Sequence, residues 1–204
     1  MIESIEIQIF NKIKKAKRGT LFFVDSFTAI GYAKSVNKAL ERLVNTGNLH
    51  RVTTGIYVCP VKDKIIGTIM PSIDEIAIAI AKRDKARIVP TGSYAMYKLG
   101  LTNQVPINVV YYTDASARKI KIGKQTITFK KASAKNLATI GDISKLAIYA
   151  LRNMGKDKVG ADAIEVIKKL LEKEKPYRLQ HDLRLAPEWI RKLIGVIKTD
   201  TINE

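Results

Sequence analysis

Side chains suited to gripping an anionic polymer crowd into residues 33–54: Lys34, Ser35, Asn37, Lys38, Arg42, Arg51, Thr53 and Thr54. Lysine and arginine neutralise phosphates, an asparagine amide presents a donor and an acceptor to a base edge, and hydroxyls do either. Their spacing gives them meaning. Val36, Ala39, Leu40, Leu43 and Val44 recur at helical intervals, so a helix from Ala33 to Asn45 or Thr46 buries them as one stripe. Lys34, Lys38, Glu41 and Asn45 then point away from the core, flanked by Ser35, Asn37 and Arg42. Asn37 and Ser35 are the expected base contacts; Lys34, Lys38, Arg42 and Arg51 are the expected phosphate clamps.

These residues need elements to hold them. Thr20 to Pro60 reads as two short helices followed by a two-stranded hairpin, with Gly47 as the left-handed stop after the second helix. Residues 48–52 and 56–58 form the hairpin strands, and Thr53-Thr54-Gly55 the turn between them. Upstream, Ile2, Ile5, Ile9, Phe10 and Ile13 predict an amphipathic helix over residues 2–16, ending in Lys14, Lys15, Lys17 and Arg18. Helix, helix, hairpin is the order of a winged helix-turn-helix, which reads a DNA major groove with its second helix. An amphipathic helix and hairpin with no nucleic-acid role would share the apolar pattern; the order of elements together with the basic outer face favours DNA.

Asp25-Ser26-Phe27 with Gly31, Lys38-Ala39-Leu40-x-Arg42-Leu43, Gly47-x-Leu49-x-Arg51 and Gly55-Ile56-Tyr57 resemble the N-terminal winged helix of AbiEi-type antitoxins. Pro90-Thr91-Gly92, Leu99-Gly100-Leu101-Thr102 and Val109-Val110-Tyr111-Tyr112-Thr113-Asp114 resemble the second domain of that family, so the likeness covers nearly the whole chain. The winged-helix phrases are shared by many regulators; the second-domain phrases are more specific. The resemblance implies a repressor that binds double-stranded DNA at its own promoter, at inverted repeats that would seat two copies. It also implies the antitoxin of a type IV toxin–antitoxin system, opposing a nucleotidyltransferase-like toxin without a stable complex.

Composition sets wider limits. With 204 residues, 46% hydrophobic and 27% charged, the chain is that of a globular protein large enough for one large or two small domains. A formal charge of +17 and a pI near 9.9 attract polyanions, nucleic acid foremost, although an anionic membrane surface or an acidic protein would answer the charge alone. The lone Cys59 excludes an intramolecular disulfide and a multi-cysteine zinc site, and beside only His50 and His181 it predicts no metal. No cofactor is expected. The N-terminus lacks signal-peptide features and no apolar run approaches a membrane span, so a cytoplasmic protein without a membrane partner is expected.

The rest of the chain predicts an α+β fold: the winged helix-turn-helix over residues 1–62, then a mixed α/β domain over 71–204 ending in a helical bundle, with the boundary near 61–70. Ser72-Ile73-Asp74-Glu75 is a capping box, which makes Ile76–Ala81 helical despite its alternation. Strands are expected at 87–90, 107–112, 118–122 and 125–129, with a short helix over 93–99. In the 118–122 and 125–129 pair, Ile120, Ile122, Ile127 and Phe129 face inward, and Lys119, Lys121, Thr126, Thr128 and Lys130 face out. Arg118, Lys119, Lys121, Lys124 and Lys130 therefore define a second basic surface; a soluble sheet face explains the same residues. Helical stripes follow at Ile143, Leu146, Ala147, Ala150, Leu151 and Met154, at Ala163 to Leu171, and at Trp189, Ile190, Leu193, Ile194 and Ile197.

An enzyme is not expected. Gly92-Ser93 resembles the opening of a nucleotidyltransferase site, but the next strand offers Asp114 without the second carboxylate that a two-metal centre requires. The alternative to a repressor and antitoxin is a winged-helix module whose basic C-terminal domain holds a protein or RNA partner.

Overall fold

The computed structural model describes residues 3–200, apart from the side chains of Lys62 and of residues 196–200. Ile2 and the side chain of Ile197 lie outside the described residues. The chain divides into two compact units, one running to Ile80 and including Lys121–Gly123, the other made of Ala81–Ile120 and the chain from Lys124 onward. Both mix helices with sheet, so the fold is α+β.

The first unit opens with α1 (Ile5–Lys15), whose first turn is capped by the Ser4 hydroxyl accepting the Ile7 N–H at 3.3 Å. The next elements are β1 (Leu21–Phe23), a 3-10 turn over Val24–Phe27, α2 (Ala33–Asn45), β2 (His50–Thr53) and β3 (Ile56–Val58). The first of the two short helices expected after Thr20 is thus a strand and a single 3-10 turn. Leu21-Phe22-Phe23 are β-formers, and they pair antiparallel with β3 in register Leu21 to Val58, burying Phe22 and Phe23. The hairpin strands accordingly belong to a three-stranded sheet in the order β1-β3-β2, not to a two-stranded one.

Ile9, Ile13, Phe22, Phe27, Val36, Ala39, Leu40, Leu43, Leu49 and Tyr57 form the core of this unit. Phe27 and Leu40 are wholly buried, so truncating either to Ala costs about 2–5 kcal/mol. Beyond β3 the chain forms a hairpin, β4 (Val61–Asp63) and β5 (Gly67–Ile69), where the domain boundary was expected. The expected helix after it is present as α3 (Ile73–Arg83), and the Ser72 and Glu75 box closes in both directions. The Ser72 N–H donates to Glu75 Oε2 at 2.8 Å, and the Glu75 N–H donates to Ser72 Oγ at 3.2 Å. The division into units falls inside α3.

The second unit contains β6 (Ile88–Thr91), α4 (Ser93–Lys98), β7 (Asn108–Thr113), β8 (Arg118–Ile122) as far as Ile120, and β9 (Gln125–Lys131). It continues with α5 (Ala134–Leu137), α6 (Ser144–Met154), a 3-10 turn at 156–158, α7 (Ala161–Leu171), α8 (Pro176–Leu185) and α9 (Glu188–Asp200). Its sheet runs β6-β7-β9-β8, with β6 and β7 antiparallel and β7 and β9 parallel. α6 lies at the centre of the core: Ala147, Ile148, Tyr149, Ala150 and Leu151 are all buried in succession. The single stripe expected there is therefore incomplete, since Ile148 and Tyr149 are covered while Ile143, Leu146 and Met154 are only half-buried. A helix surrounded on most sides has no one apolar face.

Two carboxylates from far along the chain secure the start of α6. Asp182 of α8, fully buried, accepts the N–H groups of Ile140 at 2.8 Å and Gly141 at 3.0 Å and the Ser144 hydroxyl at 2.5 Å. Glu174 accepts the N–H groups of Ile143 at 2.7 Å and Ser144 at 3.2 Å. Helix N–H groups that lack an intrahelical partner are satisfied in this way, and negative charge suits that end of the dipole. Gly141 permits the close approach: a Cβ there would lie 2.0 Å from Ser144 Oγ and 2.7 Å from Glu174 Oε2.

Candidate nucleic-acid interface

Packing decides which side of α2 meets solvent. Val36, Ala39, Leu40 and Leu43 turn into the core, and at about 100° per residue this leaves Lys34, Ser35, Asn37, Lys38, Glu41, Arg42 and Asn45 exposed. Every expected contact residue of the helix lies on that outer face. The helix ends in a Schellman motif: Gly47 adopts φ 73°, its N–H reaches the Val44 carbonyl at 3.0 Å, and the Asn48 N–H reaches the Leu43 carbonyl at 2.9 Å. This aims the chain back into Leu49, which is buried, and on into β2.

In the hairpin, Arg51 and Thr54 are exposed and Thr53 is half-buried. Gly55 makes the turn at φ 75°, and the register slips between Arg51 and Thr53, where β2 carries a bulge.

The outer face of α2 is not uniform in its electrostatics. Arg42 Nη1 pairs with Glu6 Oε2 of α1 at 3.2 Å, and its side chain is still 66% exposed. Such a surface pair contributes at most about 1 kcal/mol, so a phosphate can displace Glu6, at the cost of that pair. Around these residues a cleft of about 250 Å³ between α1 and α2 is lined by Ser4, Glu6, Ser35, Lys38 and Arg42. Glu41 places a negative charge among the cations, a repulsive element toward phosphate. One exposed residue beside this face escaped sequence reasoning. Tyr32, 90% exposed, occupies the N-cap position of α2, where no side chain caps the helix and the first turn carries no acid. Its signal was an aromatic immediately before a basic helix, outside the periodic window that identified the rest.

The second basic group splits by the pleat. Lys119, Lys121, Lys124 and Lys130 are exposed, whereas Arg118 shares the side of β8 that carries Ile120 and Ile122. Arg118 Nη2 donates to Asp84 Oδ2, and the guanidinium lies over the Phe129 ring at 5.4 Å. Burial by itself would raise the Asp84 carboxyl; hydrogen bonds and charge from Arg83 and Arg118 outweigh it and hold the group below its ordinary range. Thr128, expected to face out, is 5% exposed and donates from Oγ1 to Asn108 Oδ1 at 2.7 Å. β9 lies inside the sheet between β7 and β8, and a hydroxyl with a partner on the next strand stays under cover. β8 is an edge strand, where exposed lysines also deter a further strand from adding to the sheet.

Asp114 is engaged at the end of β7: it accepts the Arg87 N–H at 2.8 Å and pairs with Arg87 Nε at 3.2 Å. Among the described residues no three or more His, Cys, Asp or Glu side chains group as metal ligands, and no helix is long and apolar enough to cross a membrane.

The family described as a family of unknown function (DUF6088) matches residues 8–179, and the chain belongs to it. No curated protein matches the chain. Among solved structures, the crystal structure of the RV2827C protein from Mycobacterium tuberculosis is similar at 11% identity and a TM-score of 0.47. That likeness covers 96% of this chain and 82% of the other.

Proposed function

We propose that this member of the DUF6088 family is a DNA-binding transcriptional repressor whose first unit works as a winged helix-turn-helix. α2 is its recognition helix and the β2–β3 hairpin its wing. The observation that carries the reading is the division of α2 into a stripe of buried Val36, Ala39, Leu40 and Leu43 with half-buried Val44, and an outer face of Lys34, Ser35, Asn37, Lys38 and Arg42, all exposed. The net charge of +17 supplies the long-range attraction such a face needs. The resemblance of the sequence phrases to AbiEi-type antitoxins extends the proposal: the protein represses its own operon and counteracts a nucleotidyltransferase-like toxin without binding it stably. The second basic surface, made of the exposed Lys119, Lys121, Lys124 and Lys130, serves the antitoxin role.

Duplex binding measured across a salt series tests the first part. With about six phosphates neutralised, log affinity falls against log salt with a slope near −5; a flat response removes the electrostatic premise. For the second part, charge reversal on α2 abolishes operator binding yet still protects cells from a co-expressed toxin. Reversal at Lys119 and Lys121 impairs protection more than operator affinity. Loss of both activities in either folded variant ends that division of labour.

A further inference from the structure

The β4–β5 hairpin holds its least soluble residues furthest from cover. Its strands pair Val61 with Ile69 and Asp63 with Gly67, leaving Lys64, Ile65 and Ile66 as the turn. Ile65 is 94% exposed and Ile66 74%. Scattered apolar residues on a surface are ordinary, but adjacent isoleucines at a braced tip are not. The brace is Asp63, whose Oδ1 accepts the N–H groups of Ile65 at 2.8 Å and Ile66 at 3.0 Å. That carboxylate is held to the turn by these bonds, which favour its charged form, and it leaves Lys64, Lys17 and Arg18 in excess around the hairpin.

The root of the hairpin is equally fixed. The Gly19 N–H donates to the Cys59 carbonyl at 2.9 Å and the Cys59 N–H to the Thr20 carbonyl at 3.3 Å. Lys17 and Arg18, both exposed, share a cleft of about 340 Å³ with Val61, Ile69, Met70 and Glu75 at that root. Glu75 is occupied with the Ser72 cap. An apolar point on a hydrogen-bonded hairpin with exposed cations at its base and at Lys64 fits a partner that is anionic outside and apolar between its layers.

We infer that this hairpin is a wedge that inserts Ile65 and Ile66 between neighbouring base pairs of duplex DNA while Lys17, Arg18 and Lys64 engage the flanking phosphates. The inference rests on the DNA-binding role proposed above. Apolar side chains used in this way enter from the minor groove, unstack one step and kink the duplex by roughly 20–90°. The isoleucines gain an apolar surrounding, and the phosphates gain the cations. A second copy of the chain is a poorer occupant, because this tip covers only a small part of the roughly 800 Å² per partner that a stable interface buries.

The test uses the full chain and a duplex of about 30 base pairs that the protein selects from a random pool, carrying 2-aminopurine at successive steps and a dye pair at its ends. The wild type raises 2-aminopurine emission at one step and shortens the end-to-end distance. I65S/I66S loses both signals and binds about tenfold more weakly, while I65L/I66L keeps them. Circular dichroism checks that both variants are folded, as expected for changes at an exposed turn. Wild-type binding without unstacking, or unstacking retained in I65S/I66S, overturns the wedge and leaves the DNA-binding role standing. If I65S/I66S retains the DNA signals but loses self-association in sedimentation, the occupant is a second copy and the wedge is overturned. Loss instead of binding to vesicles of phosphatidylcholine and phosphatidylserine makes the occupant a lipid surface, with the same consequence. Failure to select any duplex removes the DNA-binding role itself.

Discussion

Residues 34–42 and residues 118–130 look alike as sequence, each mixing cations with apolar residues at a regular period, and the structure uses them differently. On α2 the period places every cation and amide opposite a buried stripe, so Lys34, Asn37 and Lys38 stand free on one side of a rigid helix. On β8 the two-residue period divides the cations: Lys119 and Lys121 face solvent on an edge strand, and Arg118 turns toward Asp84 and Phe129. Basicity therefore has two meanings in one chain. On α2 it is available charge; at Arg118 it is charge already paired with Asp84.

The sharpest way to break that contrast is charge reversal in both places. K34E/K38E is expected to lower duplex affinity by more than about a hundredfold, since each reversal removes one phosphate contact and adds one repulsion. K119E/K121E is expected to change affinity by less than about tenfold. Titration by fluorescence anisotropy checks both, and comparable losses from the two pairs would erase the contrast.

Within α2, Asn37→Ala is expected to relax sequence preference by roughly 1–3 kcal/mol. Lys38→Ala should instead weaken all sequences alike and reduce the salt slope by about 1. Competition between a selected duplex and random DNA separates the outcomes. An unchanged ratio for Asn37→Ala would remove it as a base contact.

A stability experiment sharpens the other side. Arg118 and Asp84 are 32% and 18% exposed at their side chains, so Arg118→Ala is expected to cost about 1–2 kcal/mol in urea unfolding, against less than about 0.5 for Lys119→Ala. The Asp84 carboxyl is held below its ordinary range, so its contribution is present above the unfolded value near 4 and is lost as pH falls through the lower folded value. The gap between wild type and Arg118→Ala should accordingly narrow as the pH is taken below about 4. A gap that stays constant into acid would assign the loss to the Phe129 contact instead.

The smallest effect expected is at Arg42. Because Glu6 already holds its guanidinium at 3.2 Å, Arg42→Ala should reduce duplex affinity less than Lys38→Ala does, and Glu6→Gln should raise affinity by a few tenths of a kcal/mol. A larger loss at Arg42 than at Lys38 would mean that the Glu6 pair positions the arginine for phosphate instead of competing for it.

The features legible in the sequence were those whose signal is local. The α2 stripe recurs within a few turns, the Ser72 and Glu75 box spans four residues, and Gly47 and Gly55 mark their own turns, so each was readable without knowing what packs against it. The 3-10 turn after Phe23 was missed because Leu21-Phe22-Phe23 commits to β1 only in the presence of β3, more than thirty residues on. Likewise α8 gives a weak amphipathic pattern, and its polar sequence hides Leu179 and Asp182, both buried.

What the sequence determined by itself was the order and type of most elements and the outward face of α2, because periodicity and caps act over a few residues and need no distant partner. Only the tertiary structure decided which charges are spoken for. Asp84 meets Arg118, Glu6 meets Arg42, and Glu174 and Asp182 meet the start of α6, each across 30 or more residues. The physical reason is that a contact between residues distant in sequence depends on two groups brought to within about 3 Å, and no property of either residue alone records where the chain will place the other.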